Sequence, residues 1–134
     1  MNSLIQNMDR AKFLERSNQY KNETTEALLL ALDIIDDLAS KYKNFEVYFT
    51  EYSAGLRKIK AKGGYLLIET SKKRKPCLFL GRKRLRDEGM NKEIINQTGK
   101  YAGSFKYSET NKKEQVVLFF KSFANIIKEL DRYN

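Results

Sequence analysis

Histidine and tryptophan are absent from all 134 residues. Without histidine, the commonest route to acid–base catalysis near pH 7 is closed, and so are imidazole-ligated metal sites. Any chemistry must draw on carboxylates with a divalent ion, on lysine, on tyrosine, or on the one cysteine, Cys77. A lone cysteine excludes an internal disulfide and fits a reducing compartment. Proline occurs once, at Pro76. No apolar run approaches the ~20 residues that span a bilayer, and no N-terminal stretch has the make-up of a signal peptide. A cytoplasmic protein without membrane contact is therefore expected, and the N-x-T sequons at Asn22 and Asn96 are chance matches. No phosphate loop of the G-x-x-x-x-G-K type occurs, and no cofactor is implied.

What is present suffices for a packed core. Apolar residues make up 41% and aromatics 12%, which argues against disorder even with 32% charge. The length predicts one domain over 1–134, with residues 1–21 as a helical N-terminal extension or lid. The abundance of Lys, Asn and Ile suggests an AT-rich genome, prokaryotic or viral.

The positive charge is concentrated. Between Arg57 and Arg86 there are 12 Lys or Arg residues and one acid, Glu69, a balance of +11. The rest of the chain has 14 basic and 16 acidic residues, or −2, which gives the total of +9. Clustered cations gain most from phosphates and the counterions they displace, so a polyanionic partner is expected.

The hydrophobic periods predict an α+β fold: an antiparallel meander of about five strands, packed with two long helices and a shorter N-terminal helix. Ser3 and Gln6 have capping-box spacing for a helix near 3–16. After a polar linker at 17–23, Leu28, Ala31, Leu32, Ile35, Leu38, Ala39 and Tyr42 recur at helical intervals over 24–42. Period-two alternation at Phe45, Val47 and Phe49 predicts a strand to about Tyr52. Ser53-Ala54-Gly55 reads as a turn, and Gly63-Gly64 as a two-residue hairpin between strands at 56–62 and 65–70. A basic loop at 71–75 leads through Pro76 to a fourth strand, 77–80. A short helix from Gly89 or Asn91 to about Gln97 follows, with Gly99 as its stop. Tyr101, Gly103, Phe105 and Tyr107 suggest a fifth strand. A last helix from Asn111 to near Arg132 carries Phe119, Phe123, Ile127 and Leu130 on one face, although Gln115–Phe120 is β-prone.

A Gly63-Gly64 hairpin would oppose Lys62 to Tyr65, Lys60 to Leu67 and Lys58 to Glu69. Ile59, Ala61, Leu66, Ile68, Leu78 and Leu80 would then face the core. Lys58, Lys60, Lys62, Tyr65, Leu67, Cys77 and Phe79 would share the other side, open for binding or covered by the N-terminal helix. Arg57 adds to that face. Two clusters would flank it at one end or edge: Lys72, Lys73, Arg74 and Lys75, then Arg82, Lys83, Arg84 and Arg86. Lysines beside exposed rings suit single-stranded nucleic acid, since cations track phosphates while rings stack bases.

Three functions fit this pattern. The first is a non-enzymatic, sequence-tolerant nucleic-acid-binding module. The second is a small interaction or inhibitor protein, such as a mobile element would encode, docking its basic face on a nucleic-acid enzyme or another acidic surface. The third is a small metal-dependent nuclease. Restriction-type nucleases use D/E-x-K, which Glu69-Thr70-Ser71-Lys72 misses by one residue. Some of their relatives carry Q-x-x-x-Y, which Gln97 and Tyr101 match, with Gly99 breaking the helix between them. Glu46 or Glu51 would supply the second carboxylate. Asp33, Asp36 and Asp37 read as a solvated helix side, and Cys77 as a structural thiol.

Overall fold

A computed structural model describes residues 9–19, 26–50, 53–61, 63–71, 74–104 and 112–132. Their elements in order are α1 (Arg10–Gln19), α2 (Glu26–Lys41), β1 (Phe45–Phe49), β2 (Ser53–Lys58), β3 (Leu66–Ser71), β4 (Arg74–Leu80), α3 (Arg82–Asp87), α4 (Lys92–Gly99), β5 (Gly103–Ser104) and α5 (Lys112–Arg132). The class is α+β. The sheet is an antiparallel meander of order β1-β2-β3-β4-β5, with four full strands and a fifth of two residues.

The long helices form where the apolar period is strongest. Leu28, Ala31, Leu32 and Ile35 of α2 are buried, as are Val116, Phe119, Phe123, Ile126 and Ile127 of α5. The β-prone residues Gln115–Phe120 are helical, because the stripe they continue is i, i+3, i+4, i+7 and packing outweighs strand propensity. The Phe119 and Phe123 rings stack 5.9 Å apart, and Phe120 meets Phe119 edge-on at 5.1 Å. Within α1, Phe13 is fully buried and its ring lies 6.0 Å from that of Phe49. Arg10 ties α1 to α2 through Asp33 (2.7 Å) and Asp36 (3.2 Å). Thus α1 packs on the core side of the sheet and does not cover the other face. The expected helix start at Ser3, Glu51, and the alternation at Phe105 and Tyr107 lie outside the described residues.

The β3–β4 register is as expected: Leu66 opposes Leu80 and Ile68 opposes Leu78. The β2–β3 register is not. Ser53, Ala54 and Gly55 belong to β2 and are buried, so they are no turn. Glu69 opposes Ser53, five residues from the expected partner Lys58. An odd shift exchanges the faces of a strand. Ala54 and Leu56 fill the core, and Ile59 is 50% exposed in a loop that replaces the two-residue hairpin. In that loop Lys60 has φ +70° and the Ala61 N–H donates to the Lys58 carbonyl at 3.0 Å.

Two features select this register. The Tyr65 N–H donates to the Leu56 carbonyl (2.8 Å), and the Gly81 N–H to the Tyr65 carbonyl (2.7 Å), so Tyr65 is held between β2 and the end of β4. Gly55 supplies room for Tyr48, whose ring lies across it: a Cβ there would come within 2.8 Å of Tyr48, Leu67 and the Leu66 carbonyl.

Candidate anion-binding interface

The end of β4 opens into α3, a helix not anticipated from the sequence. Its first turn carries Arg82-Lys83-Arg84, no acid and no side-chain cap, the wrong sign for a helix N-terminus. It is held by the buried Leu85 and by two i,i+4 ion pairs, Lys83–Asp87 (2.8 Å) and Arg84–Glu88 (3.4 Å).

Around α3, several expected binding residues serve the fold. Tyr65, expected as an exposed stacking ring, is fully buried. Its ring packs 6.0 Å from Phe45, with Arg84 at 5.1 Å and Lys58 at 6.0 Å over it. Glu88 accepts from Lys58 at 3.1 Å and pairs with Arg84, whose Nη1 also donates to the Gly63 carbonyl at 3.0 Å. Arg84 therefore ties Gly63 to α3, and Lys58 ties the end of β2 to Glu88 just after it. Lys58 opposes Phe45 of β1 rather than Glu69. On the outer sheet face, Arg57 meets Glu46 at 3.4 Å and lies 4.4 Å over the Tyr48 ring.

The protonation states follow from these contacts. Burial pushes the Tyr65 pKa well above the tyrosine value, the Glu88 carboxylate pushes the same way, and Arg84 opposes both. The Tyr65 hydroxyl lies beside Glu88 and Arg84 without hydrogen-bond geometry to either, so it is an unsatisfied buried donor. For Glu88, burial acts to raise the pKa. The Tyr65 hydroxyl beside it, Lys58 and Arg84 outweigh burial and hold the carboxyl below its usual value. Asp87 is lowered by Lys83. Burial raises Tyr48 against the pull of Arg57 and Arg84.

Among the described residues, the exposed cations of the window are Lys60, Arg82, Lys83 and Arg86. Arg82 donates to Asn96 Oδ1 at 3.3 Å, and its guanidinium occupies the space where a Gly99 side chain would stand. Lys62, Lys72 and Lys73 lie outside the described residues; Arg74 and Lys75 open β4, and only their backbone is described. The 71–74 connection joins β3 to β4 at one end of the hairpin, and α3 follows Leu80 at the other. Six residue steps along β4 separate them, about 20 Å at the usual strand rise.

Of the nuclease pattern, Glu51 and Lys72 lie outside the described residues. Glu46 and Glu69 share the outer face, but Glu46 opposes Arg57 while Glu69 opposes Ser53, four residues further along β2. Among the described residues, no three of His, Cys, Asp and Glu come together as a metal site. As expected, α4 stops at Gly99, between Gln97 and Tyr101, after a start capped by Asn91 on the Glu93 N–H at 2.7 Å. Gln97 and Tyr101 both line a groove between α4 and α5 that also contains Lys100 and Lys121. Those two lysines lie outside the basic window. Lys100 directly follows α4 and Lys121 lies on α5, two elements whose packing the sequence did not specify. Among the described residues no helix is long and apolar enough to cross a membrane. No family model matches the chain, and no curated protein or solved structure is significantly similar to it.

Proposed function

We propose that this protein is a non-enzymatic, sequence-tolerant nucleic-acid-binding module. The observation that carries this reading is a group of exposed cations at one end of the β3–β4 hairpin, with the basic segment of the sequence connecting the strands at the other. Lys60, Arg82, Lys83 and Arg86 belong to one end, and the Lys72–Lys75 segment joins the strands at the other. A small anion engages one end only. An extended polyanion engages both, and about 20 Å corresponds to roughly six phosphates along one strand of a duplex at 3.4 Å each. Of the two expected stacking rings Tyr65 is buried and Phe79 remains on the outer face, half-buried opposite Leu67, so base stacking is not part of this reading. Backbone contacts then dominate, and duplex should bind at least as well as single strands.

Fluorescence anisotropy with short labelled duplex DNA and single-stranded RNA tests it. Affinity should fall about 10³-fold between 50 and 200 mM salt if six phosphates are engaged. Replacing Lys72, Lys73, Arg74 and Lys75 with Gln should remove most of it. Binding that is absent at low salt, or flat across that range, sinks the reading. The same face would then meet the other partner expected from the sequence, an acidic surface on a protein.

A further inference from the structure

The groove between α4 and α5 has a volume of about 380 Å3. Gln97, Lys100 and Tyr101 border it on the α4 side, and Leu118, Lys121 and Asn125 on the α5 side. Internal contacts set its shape. The hydroxyls of Thr98 and Ser122 share a hydrogen bond of 2.6 Å at its base, and Thr98 is fully buried. Gln115 Nε2 donates to the Tyr101 carbonyl at 2.7 Å, which pins the α4 exit to α5. The Lys100 ammonium stands 5.1 Å from the centroid of the Tyr101 ring. No acid lines the groove, and neither lysine has an acidic partner among the described residues.

We propose that this groove binds a nucleotide, with the phosphate on the ammonium groups of Lys100 and Lys121 and the base against the amides of Gln97 and Asn125 and the apolar surface of Leu118. Its volume falls within the range of small-molecule sites, and its shape exists without a ligand. At about 30 Å3 per water it holds roughly a dozen water volumes, more than a bare inorganic anion fills. Two cations without an acid select a negatively charged group. Each amide offers a donor and an acceptor, which is what a base edge presents in return. The cation–π contact holds the Lys100 ammonium at the groove while leaving its N–H donors available. None of these residues belongs to the basic window, so the proposal does not depend on polyanion binding there.

The test is an NMR titration of the 15N-labelled full chain with AMP and UMP, beside inorganic phosphate and adenosine. Saturable shifts are expected at the amides of 97–101 and 118–125, with phosphate and adenosine each at least about tenfold weaker than AMP. Lys100→Gln and Lys121→Gln should each weaken AMP binding about tenfold, the loss of one charge-assisted hydrogen bond, without moving the melting temperature. Lys83→Gln should leave AMP binding unchanged. A dinucleotide with a terminal phosphate separates the sources. Tighter binding than AMP assigns the groove to a strand end, and weaker binding to free nucleotides. Three results overturn the proposal: no saturable shift by about 10 mM AMP, phosphate binding as tightly as AMP, or shifts that survive the double lysine variant.

Discussion

At the α3 end of the sheet, Lys58 and Arg84 share Glu88, Arg57 meets Glu46, and Lys83 meets Asp87. In the α4–α5 groove, Lys100 and Lys121 stand without an acidic partner among the described residues. The first region has the higher density of cations, and the second has the less neutralised ones. The basic window of the sequence stops at Arg86, one residue before Asp87 and Glu88. Those two acids, with Glu46 from β1, return to pair with four of its cations. A charge run in sequence therefore overstates the charge a partner meets, and a groove built from two helices understates it.

The largest expected effect tests whether the α3 cluster is structural. Tyr65→Ala should destabilise the fold by about 3–5 kcal/mol, as for other large buried rings, with polyanion affinity per folded molecule unchanged. Thermal melts beside an anisotropy titration give both numbers. A benign Tyr65→Ala that weakens binding would restore the ring as a contact and erase the contrast between the two regions.

Next comes the register beneath the cluster. Ile68→Ala should cost about 2–5 kcal/mol and Ile59→Ala less than about 0.5 kcal/mol in urea unfolding. The reverse ranking would mean that β2 pairs through a Gly63-Gly64 hairpin after all.

Glu88→Gln sharpens the comparison by releasing two clamped cations. Because the pair is partly exposed, the stability loss at pH 7 should be about 1 kcal/mol or less. Polyanion binding should tighten, and its salt dependence should steepen by about one phosphate contact if Lys58 or Arg84 becomes available. The Glu88 carboxyl is held below its ordinary value of 4.5, so its contribution is present above that pH. It is lost as pH falls through the lower, folded-state value. Urea melts between pH 3 and 7 should therefore show a smaller acid loss in Glu88→Gln than in the parent. Equal acid limbs would remove Glu88 from the account of acid stability.

The smallest effect is at Lys83, which is 83% exposed. Lys83→Gln should shift stability by no more than about 0.5 kcal/mol and lower the salt slope of polyanion binding by about one contact. An unchanged slope would mean that the ion pair with Asp87 withholds this lysine too.

Local periodicity made much of the fold legible. The stripes of α2 and α5 could bury themselves only as helices, Asn91 announced the start of α4, and alternation on β3 and β4 set Ile68 against Leu78 through a short connection. These are short-range signals, carried by residues a few positions apart. The β2 register was illegible because the Gly63-Gly64 pair imitates a tight hairpin. What selects against it is the burial of Tyr65 under α3 and the space over Gly55 that Tyr48 fills, both created only when distant segments meet. The site divides the same way. The sequence by itself determined that the chain is strongly basic and lacks histidine. Only the tertiary structure decided which cations are neutralised and which face a groove, because ion pairing falls off with distance in space and takes no account of separation along the chain.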